Sequence, residues 1–225
     1  MKLITRAIAA IIIYPIILMG FMFGLGGDWG WLKGWRFIIL LMGLVMVVMV
    51  TLMRHKKLLE ERFKKPYQKG QDLNDKVIMT LIGLFYILWL AIMPLDASRY
   101  KWSPEFPLFF TIVGVLGFLI SMIMLSAVFR ENAFLAKVVK KQKNQKVVST
   151  GLYAYVRHPM YLASIIMFLS GAFVLGSLYG IYISIILAII FYIRTGFEEK
   201  KLEKELKGYK EYKKKVKYKL IPGVV

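Results

Sequence analysis

PMYLASIIMFLSGAFVLGSLYGIYISIILAIIFYI, residues 159–193, runs for 35 residues without a charged side chain. A membrane-spanning helix needs ~20 residues, so this tract is too long for one crossing and long enough for two short ones. Gly171, Gly176 and Gly180 gather at its middle, with Ser177 and Tyr179 between them. That cluster predicts a tight turn near 175–179 and makes the tract a helical hairpin.

Four further apolar tracts, at about 7–25, 37–53, 77–95 and 107–129, each have the length of one span. The composition agrees: 58% of the 225 residues are hydrophobic and the mean hydropathy is +0.59, far from an ordinary soluble domain. The expected fold is an all-α, polytopic integral membrane bundle. It has four spans, a C-terminal transmembrane helical hairpin and a cytoplasmic amphipathic tail helix, within a single membrane domain, 1–225. The first tract follows Lys2 and Arg6 as a signal peptide would, but it runs on to Phe23 with no small-residue cleavage pattern. The GGDWGWLKGW that follows reads as an interfacial loop with aromatic anchors, so the tract is expected to be retained.

Charge fixes the expected orientation. Segment 54–76 carries eight Lys or Arg, segment 130–158 seven, and the tail from Arg194 eleven, whereas segments 26–36 and 96–106 hold two each. Basic loops stay on the cytoplasmic side, which places both termini and all three basic regions there. The net charge of +19 would suggest nucleic acid in a soluble chain; distributed over membrane loops it suits an anionic leaflet instead. The absence of Cys excludes disulfides, thiolate metal sites and Cys nucleophiles. The Lys-rich, Arg-poor basic set fits a prokaryotic chain.

Beyond Arg194, Leu202, Leu206, Tyr209, Tyr212 and Val216 recur at steps of four, three, three and four, one face of a helix whose other positions are Lys and Glu. This tail is expected to lie on the membrane surface or against the bundle, with Pro222 ending it.

The sharpest polar cluster sits at the mouth of the hairpin, in TGLYAYVRHPMY, residues 150–161. Pro is favoured at the first helical position and pushes its predecessor out of helical geometry, so the helix is expected to begin at Pro159. Its free amides and positive dipole end would then face His158, Tyr153 and Gly151, a cradle for a polar or anionic ligand. Arg157 and His158 also read as ordinary interfacial residues with their heads among lipid headgroups. Arg194, Glu198 and Glu199 form a second constellation, open to reading as a simple Arg194–Glu198 ion pair. Asp28, Asp96 and Glu105 are expected to be solvated in the outer loops, and His55 to be an interfacial cation. No Gly-rich phosphate loop, nucleophile elbow or paired-carboxylate pattern appears, and two distant His residues make no metal site.

QKVVSTGLYAYVRHPMYLAS (145–164), the FRENAFLA before it (129–136) and EEKKLEKELKGYKEYKKKVKYKLIP (198–222) resemble the isoprenylcysteine carboxyl methyltransferase family, related to the phospholipid methyltransferases. The resemblance covers about 128–223, making 1–129 the N-terminal helices and 130–225 the cofactor-binding catalytic region. It implies S-adenosylmethionine as cofactor, wrapped by Gln142, Gln145, Lys146, Val147 and Val148 and contacted by Gly151, Tyr153, His158, Pro159, Met160 and Tyr161. It gives Glu198 the acidic position that holds the cofactor and Arg194 the one that meets the acceptor, the two catalytic residues. Leu162 and Ala163 stand where the family often has Gly. The membrane partner implied is an amphiphilic acceptor entering laterally from the lipid. Carboxyl O-methylation of a prenylcysteine-like or other lipidic acid suits a site with an Arg and no obvious base. Methylation of a phospholipid or small-molecule amine or thiol would need His158 or Glu199 to take a proton. A non-catalytic transporter or assembly factor is the alternative from another class.

Overall fold

The computed structural model describes residues 3–65, 67–68, 71–132, 134–135 and 145–224. Eight α-helices follow in order among them: α1 (Leu3–Gly26), α2 (Leu32–Met53), α3 (Lys56–Phe63), α4 (Leu73–Pro94), α5 (Leu108–Glu131), α6 (Pro159–Leu175), α7 (Leu178–Glu205) and α8 (Tyr209–Lys215). A π-helical turn, Leu95–Tyr100, extends α4, and a short 3-10 turn, Gly151–Ala154, precedes α6. No described residue lies in a strand. Among the described residues, five helices are long and apolar enough to cross a membrane: α1, α2, α4 with its extension, α5 and α7. Their outward faces carry large apolar side chains such as Ile17, Ile39, Leu84, Ile123 and Ile189, each about half exposed or more, as lipid contact requires.

The hairpin forms as the sequence indicates. Pro159 is the first residue of α6, Gly176 closes the helix in the left-handed region at φ +72°, and Ser177 starts α7 by accepting from the Gly180 amide at 2.9 Å. Small residues let the helices approach. A Cβ on Gly114 of α5 would lie 2.8 Å from the Ser170 carbonyl of α6, and one on Gly171 would lie 2.8 Å from the Trp89 ring. At 17 residues α6 is ~26 Å long, shorter than the ~30 Å hydrocarbon layer.

Two corrections concern the loops. Asp96 is fully buried, not solvated, and accepts from the Ser103 amide (2.8 Å), the Ser103 hydroxyl (2.7 Å) and the Ser177 hydroxyl (2.6 Å). The tight π-helical turn aims it inward, tying α4 to the hairpin turn; Asp28 and Glu105 are exposed as expected. The tail is not one helix. α7 runs on to Glu205, Gly208 at φ +86° breaks it, and α8 ends at Lys215, well before Pro222. The predicted face survives the break: Leu206, Tyr209, Tyr212 and Val216 form one buried cluster, with Val147 and Leu202 against it.

Candidate active site

The chain beyond α8 is a strap whose backbone pairs with the mouth of the hairpin. The Arg157 amide donates to the Tyr218 carbonyl (3.0 Å) and the His158 amide to that of Lys219 (2.9 Å). The Arg157 guanidinium continues the join, donating from Nη1 to the carbonyls of Val216 (2.7 Å) and Lys217 (2.6 Å) and from Nε to Glu199 Oε1 (2.6 Å). His158 Nε2 meets the same carboxylate oxygen at 3.2 Å. Both residues are 6% exposed, which overturns the reading of Arg157 and His158 as headgroup-layer side chains. A buried carboxylate so enclosed is stable because each charge has a partner. The Tyr212 hydroxyl donates to the Tyr153 carbonyl at 2.7 Å and ties α8 to the turn before α6. Burial of Tyr212 raises its phenol to about 12, despite the opposing pull of the nearby Arg157.

Glu198, next to this locked carboxylate, faces another way. Its Oε2 accepts from the Tyr161 hydroxyl at 2.7 Å and stands 3.9 Å from His158 Nδ1. It lines a cleft with Asn132, Leu135, Leu202 and Leu206, and with ten of the residues singled out in the sequence: Gln145, Lys146, Val147, Val148, Tyr153, His158, Pro159, Met160, Tyr161 and Glu198 itself. Gly151 does not line it. Its φ is +53° and a Cβ there would fall on the Glu131 carboxylate, so the glycine serves the turn. Gln142 lies outside the described residues.

The lining of the cleft suits a ligand that joins polar groups and a positive centre to apolar surface: one carboxylate (Glu198), an imidazole (His158), the carboxamides of Asn132 and Gln145, and aliphatic walls from Val147, Leu202 and Leu206. Tyr209 adds a hydroxyl that is buried and has no hydrogen-bond partner among the described residues, a group awaiting a polar ligand. The space enclosed, about 90 Å³, is below the ~300–1,000 Å³ of common ligand sites.

Behind Met160 and Tyr161 lies a second, larger cavity of about 550 Å³, walled by apolar side chains of α1, α2, α4, α5 and α6. Met160 and Tyr161 line both spaces. Arg194 reaches this second cavity, with its guanidinium carbon 5.8 Å from the centroid of the Tyr161 ring. Its ion-pair partner is Asp75 of α4, at 3.2 Å from Nη2, and Gln71 donates to the other Asp75 oxygen at 2.7 Å. The Arg194–Glu198 pair of the sequence reading is therefore replaced: Glu198 turns to Tyr161, and Arg194 turns across the bundle. Asp75 was hidden in a segment read as a basic loop, and only helix packing brings it to Arg194.

Residues 109–208 match the family model of the phospholipid methyltransferases. The family implies a membrane methyltransferase, and the match extends over the hairpin, the cleft residues Gln145–Tyr161 and the Arg194–Glu199 helix segment, where the sequence resemblance was found. Comparison with curated proteins gives no match. Asp75, α8 and the strap lie outside the matched span.

Proposed function

We propose that the chain is an S-adenosylmethionine-dependent methyltransferase whose acceptor is the carboxylate of a lipidic acid, a prenylcysteine-like molecule or another long-chain acid. One observation carries the proposal: a polar cleft and an apolar cavity meet at a single wall, Met160–Tyr161, with Glu198 on one side and Arg194 on the other. A water-soluble methyl donor and a lipid-embedded acceptor can react only at such a junction. S-adenosylmethionine, when bound, supplies a methyl group on a positively charged sulfur. Glu198, Gln145, His158 and the Val147–Val148 edge would hold it.

The protein's own contribution is position. Asp75 holds the Arg194 guanidinium, and Arg194 presents the acceptor carboxylate to the wall with one oxygen forward. Held so, the carboxylate oxygen would need no base from the chain, and Arg194 would have only to keep it facing the methyl group that the cofactor would supply. Holding two reactants in near-attack geometry supplies much of the acceleration in such a transfer. An amine acceptor would need a base. Glu199 is a poor one, since Arg157 and His158 occupy one oxygen and Lys213 stands 3.4 Å from the other. The basic loops favour a cytoplasmic site and cytoplasmic termini.

The test incubates purified protein with a membrane lipid extract and S-adenosylmethionine labelled in the methyl group. Label released as methanol by mild alkali is the expected result, because a methyl ester hydrolyses. Lipid label that resists alkali would move the acceptor to an amine and reject the carboxylate.

A further inference from the structure

The apolar cavity contains a second cation that methyl transfer as derived above does not use. Arg62, on α3, lines it together with Arg194. Its Nη2 lies 3.1 Å from Met160 Sδ and its guanidinium carbon 4.7 Å from the Phe129 ring centroid. Among the described residues its Nε is buried without a hydrogen-bond partner, and no carboxylate stands within ion-pair distance of it. This differs from Arg194, which has Asp75. Burial lowers the Arg62 guanidinium to about 10, so it remains a cation at neutral pH. A part-buried guanidinium with an idle, buried Nε donor is costly unless a charge-matched group joins it. Phe129 and Met160 supply soft contacts and no anion.

The charges around the cavity make the demand specific. On the cavity side Arg62 and Arg194 bring two positive charges and Asp75 one negative. Glu198, across the Tyr161 wall, faces the cleft, where in the methyl-transfer reading it is matched by the positive centre of the bound cofactor, so that one positive charge is left over on the cavity side. A singly charged acid neutralises it. A zwitterionic headgroup, with no net charge, does not, and neither does an ester.

Resting on the methyl-transfer reading, we propose that Arg62 is the second arm of an anion clamp that selects a single-chain amphiphile with one acid group. The chain fills the apolar cavity while the acid lies between Arg62 and Arg194. The clamp also disposes of the product. Methylation of the carboxylate removes its charge, the two guanidiniums lose their shared partner, and the neutral ester is held by its chain alone. One residue thus sets acceptor class and product release together.

The test measures binding, with no turnover required. Purified protein in lipid nanodiscs is titrated with palmitic acid, methyl palmitate and phosphatidylethanolamine against a displaceable fluorescent fatty acid, and S-adenosylhomocysteine affinity is measured on the same samples. Unaltered protein is expected to prefer palmitate over methyl palmitate by about tenfold or more, the scale of one charge-assisted hydrogen-bonded contact. Arg62→Gln should erase that preference, Arg62→Lys should restore part of it, and both should keep S-adenosylhomocysteine affinity, showing an intact fold. Equal binding of acid and ester by unaltered protein overturns the clamp, as does an undiminished preference in Arg62→Gln. Tighter binding of phosphatidylethanolamine than of palmitate also overturns it, placing a phosphodiester at the wall. A lasting acid preference with no S-adenosylhomocysteine binding supports the clamp and counts against methyl transfer alone.

Discussion

Each end of the helical bundle buries a carboxylate, and the two are satisfied in different ways. Asp96, beside the hairpin turn, is held by two serine hydroxyls and one amide, all neutral. Glu199, at the mouth of the hairpin, is held by the guanidinium of Arg157 and the imidazole of His158. Neutral donors make a structural knot, fixing loops with nothing left over for a ligand. Charged donors make a framework that also sets the field of its neighbourhood, and beside Glu199 stand Glu198, facing the cleft, and Arg194, facing the apolar cavity. The same chemical group is a rivet at one end and part of a reaction chamber at the other.

The sharpest way to break this contrast is Arg157→Ala. It leaves Glu199 without its guanidinium partner and frees the carbonyls of Val216 and Lys217, so the strap should detach. Losing one partner of a buried pair costs about 3–5 kcal/mol. Thermal unfolding in detergent should report it as a large fall in Tm, with S-adenosylhomocysteine binding lost as well; an unshifted Tm would show that the join does not hold the site together. Glu198→Gln comes next and should separate function from framework. Replacing its charge weakens a charge-assisted contact by about 1.5–3 kcal/mol, read by calorimetry as weaker S-adenosylhomocysteine binding while Tm changes little. A fall in Tm as deep as that of Arg157→Ala would place Glu198 in the framework instead. Asp96→Asn should have the smallest effect on the site. One acceptor oxygen is exchanged for an amide donor facing serine hydroxyls, costing about 1–3 kcal/mol of stability, and ligand affinity at the far end should be unchanged. Loss of affinity there would mean that the two ends are coupled through α7.

The sequence by itself determined what depends on neighbours along the chain. Apolar tracts of spanning length, a Pro that starts α6 and a cluster of Gly at the middle of the long tract are local signals, and they placed the hairpin turn within the predicted 175–179. The family resemblance named ten of the residues that line the cleft, because their spacing is short and repeats a known motif. The four-residue and three-residue steps of the tail marked a face that does become buried, although the break at Gly208 went unread: Gly lowers helix propensity by only ~1 kcal/mol, and packing decides whether it bends the chain. The tertiary structure alone decided the pairings. Arg194 meets Asp75, Arg157 meets Val216 and Lys217, and Asp96 meets Ser177 across many turns of chain. A buried charge takes the partner that helix packing brings within reach, and distance along the sequence carries no record of which one that is.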